Sequence, residues 1–174
     1  FMVVATQNPM EYQGTYPLPE SQLDRFMMRI RIGYPSEADE KKILQAQQSF
    51  HPVEGLKPVL TGAEVVKLQD QVVHVRVDES LVDYLLAIVT VTRQSDRLGL
   101  GASTRAAMSL HKAAQALAFV EGREYCLPDD FKYLAPFVLS HRVIINARLD
   151  AHGYRSQDAE EIITDLVDQI PVPL

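Results

Sequence analysis

Three polar residues stand where the chain could meet an anionic group: Asn8, Arg25 and Arg105. Asn8 follows the apolar run 1–5, and open α/β sheets place ligands at the carboxyl ends of their strands. Its amide could orient an attacking water or contact a terminal phosphate. Arg25 follows a short predicted helix and could place a planar cation against transferring phosphoryl oxygens. Arg105 lies in the first turn of a long predicted helix, where the dipole disfavours a cation, which indicates an anionic partner.

Each of these residues also has an ordinary structural explanation. Asn8 could be a turn residue that hydrogen-bonds its own backbone. Arg25 could form a surface ion pair with Asp24, and Arg105 could cover apolar neighbours with its aliphatic stem. Taken singly, the three residues leave both interpretations open.

Two predicted strands lie beside the first two of these residues. Residues 1–5 (FMVVA) form an apolar, β-branched run that predicts a strand buried on both faces of a parallel sheet. Residues 28–32 (MRIRI) alternate and predict a half-buried strand, with Arg29 and Arg31 on its solvated face. Because two strands cannot form a stable parallel sheet, we expect the chain to be a fragment whose other strands lie upstream. The alternative is a small two-stranded ribbon packed on helices.

From Ser36 onward the sequence predicts consecutive helices with recognisable ends. Gly122 and Pro171 are predicted stops, and Pro136 is expected to kink or divide its helix. Residues 75–77 predict a short extended link, and residues 51–60 and 145–155 predict loops. The predicted helix starts are Ser36, Thr61 with Glu64, Asp78, Ser103, Pro128 and Ser156.

Composition excludes several classes of protein. The chain has 174 residues, a net charge of −6 and one cysteine. The length predicts one domain or one and a half, and a single cysteine excludes an internal disulfide framework. No apolar run approaches the roughly 20 residues that span a bilayer, so we expect a cytoplasmic protein without membrane contact. The acidic charge and the lack of a basic helix argue against nucleic-acid binding, and the histidines and Cys126 lack metal-binding spacing.

Taken together, these motifs resemble the MoxR family of AAA+ ATPases, in order and over essentially the whole chain. The resemblance rests on combined motifs and is far more specific than any one of them. Two departures are Thr104, where the family usually has proline, and Leu127, where a polar helix cap is usual. The matching stretches are residues 5–9 (ATQNP), 11–20, 22–26 (QLDRF), 33–35 (GYP), 101–106 (GASTRA) and 139–142 (LSHR).

The resemblance implies a fold and a set of roles. The fold would be mainly α: residues 1–34 would close an α/β nucleotide-binding core as a two-strand remnant, and residues 35–174 would form its all-helical lid. Asn8 would be the sensor 1 residue, Arg25 the arginine finger and Arg105 the sensor 2 arginine. The implied protein is a hexameric ring that uses ATP for chaperone-like remodelling or activation of partners, typically proteins with von Willebrand factor A domains.

Two motifs of the family do not occur in the sequence. There is no G-x-x-x-x-G-K-[ST] phosphate loop and no apolar strand that ends in paired acids for Mg²⁺. The family carries both upstream of its sensor 1 strand, so residues before Phe1 would hold ATP and Mg²⁺. We therefore expect the fragment alone to be inactive. The competing hypothesis is a non-catalytic helical protein-interaction module, and for His141 and Arg142 we favour a packing or lid-anchoring role.

Overall fold

The helices account for most of the chain that the computed structural model describes, which comprises residues 2–7, 19–46, 52–146 and 156–173. The mainly α class is therefore confirmed. In chain order the elements are α1 (Glu20–Leu23), α2 (Glu37–Ala46), a 3-10 helix (Pro52–Gly55), α3 (Gly62–Val72), α4 (Glu79–Gln94), β1 (Leu98–Leu100), α5 (Thr104–Val120), α6 (Pro128–Leu139), β2 (Ile144–Ile145) and α7 (Ser156–Asp168).

Helix starts follow the predicted caps. At α3 the Glu64 amide donates to Thr61 Oγ1 at 3.3 Å, and the Thr61 amide donates to the Glu64 carboxylate at 2.7 Å. Asp78 caps α4 by accepting from the amide of Ser80. The predicted stop of α5 is also confirmed, because Gly122 has a φ of +76°, which favours glycine over any side chain with a Cβ.

The start of α6 compensates for the apolar residue at its cap. Leu127 offers no side-chain acceptor, but Asp130 accepts from the Leu127 amide at 2.7 Å. The same carboxylate binds both terminal nitrogens of Arg123, at 2.7 and 2.9 Å. These contacts, together with one to Glu121, raise the pKa of Arg123 above its ordinary value. Pro136 lies inside α6 and does not divide it, contrary to one of the two outcomes expected from sequence.

The core lies between α4, α5, α6 and α7. Helix α5 packs mainly on α6, and α6 packs on α7. Small residues on the buried face of α5 allow this close approach, since an alanine keeps the helix axes near each other. Large side chains from the neighbouring helices fill the remaining space. Among the fully buried residues are Ala106, Leu110 and Ala114 of α5, Ile88 of α4, Phe131 and Leu139 of α6 and Ile163 of α7.

A short antiparallel ribbon interrupts the helices of the predicted all-helical region. Strand β1 pairs with β2, with Leu98 opposite Ile145 and Leu100 opposite Ile144. This ribbon could not be predicted from sequence, because strands of three and two residues are too short to show alternation. The predicted extended link is present, and Arg76 forms a parallel bridge with Tyr125.

The two strands predicted near the start of the chain are wrong as hydrogen-bonded strands. Residues 2–7 and 28–32 have no assigned strand, and Val4, Ile30 and Ile32 are exposed. Phe1 lies outside the described residues. A strand needs a neighbouring strand to pair with, and the described part of the chain provides none for these two segments, although the Arg29 amide donates to the Phe137 carbonyl oxygen of α6.

The ion pair between Arg123 and Asp130 gives a test of what stabilises α6. The side chains are 18% and 5% exposed, so Arg123→Ala leaves a nearly buried carboxylate without its cation. We expect the free energy of unfolding to fall by about 3 kcal/mol. In contrast, Arg97→Ala removes an exposed pair with Asp165 and should cost less than about 1 kcal/mol. Denaturant unfolding of both variants measures the difference, and equal losses would contradict this account of α6.

Candidate functional site

The turn before α5 positions Arg105 through a close backbone approach. A Cβ on Gly101 would lie 2.6 Å from Arg93 Cα, so only glycine fits there without a backbone shift. The approach lets the Ala102 amide donate to Thr92 Oγ1 at 2.9 Å. It also lets Arg93 Nε donate to the Ala102 carbonyl oxygen at 2.9 Å. The end of α4 therefore fixes where α5 begins.

Helix α5 then begins in the predicted way. Ser103 is its cap and accepts from the Ala106 amide at 3.2 Å. Thr104, the departure from the usual proline, is the first helical residue, and Arg105 follows it. The Arg105 side chain is 61% exposed, so it does not serve mainly to cover apolar neighbours. Its Nε lies 4.0 Å from Asp24 Oδ2.

Asp24 lies between two arginines that come from different parts of the fold. One carboxylate oxygen faces Arg105, and the other lies 3.7 Å from Nε of Arg142. Two guanidinium groups therefore share one carboxylate, which leaves a net positive charge at this point. The surface pair between Asp24 and Arg25 that the sequence allowed is not formed, since Asp24 faces Arg105 and Arg142 instead.

Arg142 and His141 attach the segment after α1 to the end of α6. Arg142 Nη2 donates to the Phe26 carbonyl oxygen and, at 3.4 Å, to that of Met27. Nε2 of His141 lies 3.1 Å from the same Phe26 oxygen. The Arg142 side chain is only 1% exposed, and burial lowers its pKa from the ordinary value. The packing and anchoring role favoured from sequence for these two residues agrees with these contacts.

Arg25 has a fixed backbone and a free side chain. The Arg25 amide donates to the Gln22 carbonyl oxygen at 3.1 Å, and the Phe26 amide donates to that of Leu23 at 3.0 Å. Its side chain is exposed, and its guanidinium has no hydrogen-bond or ion-pair partner among the residues that the structure describes. Arg25 thus adjoins the carboxylate that Arg105 contacts. Asn8, the third predicted site residue, lies outside the described residues.

Arg29 and Arg31 were expected on a solvated strand face, and Arg31 is indeed exposed, whereas Arg29 is partly buried. Both contact Glu160 of α7, through Arg29 Nη2 at 2.9 Å and Arg31 Nε at 3.3 Å. The Arg29 amide also donates to the Phe137 carbonyl oxygen at 2.9 Å. The alternating pattern does not show that Glu160 of α7 lies against these two arginines.

Sequence reasoning missed the part played by Asp24, although the residue lies inside a motif that it singled out. The sequence does contain one indication, because a carboxylate directly before a proposed catalytic arginine is expected to have a charged partner. Neither local spacing nor helix patterning indicates that its partners are 81 and 118 residues further along the chain. Only the packed bundle brings Asp24, Arg105 and Arg142 together.

Other reactive groups lie away from this site. Burial raises the pKa of the Cys126 thiol to about 11, so it is protonated at neutral pH and behaves as a small apolar side chain. No group of three potential metal ligands occurs within the ranges that the structure describes. Among the same residues, no helix combines the length and apolar character needed to cross a bilayer.

Two family models match the chain. One, described as the AAA lid domain, matches residues 90–166, which hold Arg105 and Arg142. The other, described as the ATPase family associated with various cellular activities (AAA), matches residues 1–28, which hold Asn8 and Arg25. The two matches meet at the Asp24 contacts, because one supplies the carboxylate and the other supplies both arginines.

Individual relatives agree with these family matches. YeaC of Bacillus subtilis is 45% identical over 174 residues, all of this chain and 53% of its own length. Chaperone MoxR1 of Mycobacterium tuberculosis is 39% identical over 83% of this chain and 40% of its own. The crystal structure of a candidate ATPase from Cytophaga hutchinsonii has a TM-score of 0.84 and 32% identity, covering 97% of this chain and 53% of that one. The chain thus spans about half the length of such relatives.

His141 makes the stability of the site depend on pH. Burial lowers its pKa below 6.5, and Arg142 and Arg29 lower it further, whereas the Phe26 carbonyl and Asp24 oppose this effect. Below pH 6.5 the unfolded chain therefore binds a proton that the folded chain resists, so the stability of the fold falls as pH falls. We expect a steeper loss in the wild type than in His141→Gln between pH 7.5 and 5.5, by at most about 1.4 kcal/mol per pH unit.

Thermal unfolding of the two proteins across this range measures the effect. His111→Gln is the matched control, because His111 lies on α5 away from the Phe26 carbonyl, and it should follow the wild type. Parallel profiles for the wild type and His141→Gln would show that the ring does not resist protonation.

Proposed function

Since the chain belongs to the MoxR family of AAA+ ATPases, we propose that it forms the sensor-and-lid part of an ATP-driven machine that remodels or activates protein partners. Residues 1–34 would close the nucleotide-binding core, and residues 35–174 would form the lid. The observation that carries the proposal is the contact between the candidate Arg105 of the lid and the carboxylate of Asp24, the residue directly before the candidate Arg25. A positively charged junction suits a ligand with phosphate groups.

Arg105 is proposed as the sensor 2 arginine. Its position on the lid, its exposure and its location at a fixed helix start support this role. The contact with Asp24 is long and solvent-exposed, so a phosphate oxygen could replace it at little cost. In this role Arg105 would contact the nucleotide and transmit its state to α5 and the rest of the lid.

Arg25 is proposed as the arginine finger, and Asn8 as the sensor 1 residue that orients the attacking water. A finger supplies a cation to the transferring phosphoryl group from a neighbouring subunit, and such groups accelerate nucleotide hydrolysis by about 10³–10⁵-fold in GTPases. An exposed guanidinium on a hydrogen-bonded turn suits this role. The role requires a ring, for which we propose a hexamer. The proposed partners are proteins with von Willebrand factor A domains.

The phosphate loop and the Mg²⁺-binding acids are proposed to lie in the half of the family's length that this chain does not span. Bound ATP with Mg²⁺ supplies the phosphoryl group, and the residues of this chain orient and stabilise it. A non-catalytic interaction module would need none of these roles, so mutating the arginines discriminates between the two functions.

Arg105→Ala tests the proposed function in a full-length MoxR protein that contains this segment. Loss of a charged hydrogen bond to phosphate should weaken nucleotide binding by roughly 10–100-fold and reduce turnover as well. Nucleotide titration and steady-state hydrolysis measure the two effects. Arg97→Ala, which removes another exposed arginine of the lid, is the control and should leave both unchanged. Unaltered affinity and turnover in Arg105→Ala would reject the sensor role and favour the interaction module.

The isolated chain provides a second test. Without a phosphate loop or acidic metal ligands in its 174 residues, it should show negligible Mg²⁺-dependent ATP hydrolysis. The measurement is phosphate release by the purified chain, with the full-length protein as the positive control. Robust ATP hydrolysis by the chain alone would refute the proposal that the phosphate loop and the Mg²⁺-binding acids lie outside it.

A further inference from the structure

We propose that Arg142 and Asp24 are positioning residues for the arginine finger, and that Asp24 couples the finger to Arg105. Arg142 would fix the backbone on both sides of Arg25. Asp24 would pass the nucleotide state sensed by Arg105 to the finger that acts on the neighbouring subunit. The inference rests on the proposed function, because it assigns supporting residues to the finger and the sensor.

The contacts enclose Arg25 from both sides. On one side, the Asp24 carboxylate lies 3.7 Å from Arg142 Nε. On the other side, the Phe26 carbonyl oxygen accepts from Arg142 Nη2 and faces His141 Nε2. One guanidinium therefore holds both neighbours of Arg25 in the sequence, and nothing among the described residues holds the Arg25 side chain itself.

Burial makes Arg142 a rigid support. With only 1% of its side chain exposed, the guanidinium cannot reach a nucleotide, so a direct catalytic role is excluded in this conformation. Its Nε and Nη1 are buried without a hydrogen-bond partner within the described ranges, so the carbonyl oxygens on Nη2 and the ion pair with Asp24 compensate its charge. A reactive group is most effective when its base is held by packed neighbours. Arg142 supplies that support, while the exposed side chain of Arg25 stays free to reach a neighbour.

The coupling follows from the different burial of the two arginines that Asp24 contacts. Arg142 is 1% exposed and lies 3.7 Å from the carboxylate, whereas Arg105 is 61% exposed and lies 4.0 Å from it. A phosphate group that binds Arg105 would displace Asp24 from it, since both anions use the same guanidinium. The carboxylate would then pair with Arg142 alone, which changes the constraint on the adjacent Arg25.

A double-mutant cycle between Asp24→Asn and Arg25→Ala tests the inference in the full-length protein. Asparagine keeps the shape of the half-buried Asp24 and removes only its charge, so the fold should be retained. We expect Asp24→Asn to lower kcat for ATP hydrolysis about tenfold without raising KM, because the finger affects the chemical step and not nucleotide binding. In the Arg25→Ala background the same change should have no further effect, since the group that it positions is gone.

Single-turnover hydrolysis of labelled ATP gives the low rates of the Arg25→Ala variants. Ring assembly and melting temperature report on folding, and Asp165→Asn, which loses the exposed pair with Arg97, is the matched control. Arg142→Lys provides a second variant, which keeps a buried charge but cannot hold Asp24 and Phe26 together, and it should give the same pattern as Asp24→Asn.

The outcomes distinguish the proposed finger role of Arg25 from the proposed positioning role of Asp24 and Arg142. If Arg25→Ala alone leaves turnover unchanged, the finger assignment fails, and the positioning role fails with it. If Arg25→Ala impairs turnover and Asp24→Asn lowers it equally in both backgrounds, the finger stands and the positioning role is refuted. A rise in KM with unchanged kcat in Asp24→Asn would also overturn the inference, since Asp24 would then act through substrate binding.

Discussion

Residues 24–27 depend on one buried cation for their position on the helical bundle. Arg142 contacts the Asp24 carboxylate and the carbonyl oxygens of Phe26 and Met27. Removing a guanidinium from water costs several kcal/mol, so the charge remains in the interior only because these oxygen atoms surround it. Moving residues 24–27 away from Arg142 would remove these oxygen atoms from the charge. The segment is therefore held by the penalty for releasing Arg142 more than by the attraction of each contact.

The bundle can provide this support because its helices pack closely. The alanines of α5 bring its backbone near α6, whose end presents His141 and Arg142. On the opposite side, Gly101 lies against the last turn of α4 and sets the position of Arg105. Close-packed interiors transmit small shifts instead of absorbing them. An event at Arg105 and an event at Arg142 are therefore linked through α5 and α6, as well as through the carboxylate that the two arginines share.

The sequence predicted the features that depend on a few adjacent residues. Caps such as Thr61 with Glu64 and the glycine stop of α5 involve contacts between near neighbours, so their residue types suffice. The resemblance to a family also selected Arg25 and Arg105. Long-range contacts cannot be predicted in this way, because nothing near Arg29 and Arg31 in the sequence indicates their partner Glu160, about 130 residues away. The strands at residues 1–5 and 28–32 failed for the same reason, since a strand depends on neighbours that local pattern does not identify.

Two arginines on one carboxylate illustrate how environment assigns different roles to the same residue type. With His141 largely neutral at pH 7 because its pKa is lowered, the cluster has two positive charges and one negative charge. An additional anion is attracted to this excess, but only the exposed Arg105 can turn towards it. Arg142 is too deeply buried to respond and can only hold what already contacts it. The difference in burial thus suits Arg105 to sensing an anion and Arg142 to anchoring the segment. Asp24 contacts both arginines and is the residue through which a change at Arg105 can affect Arg142.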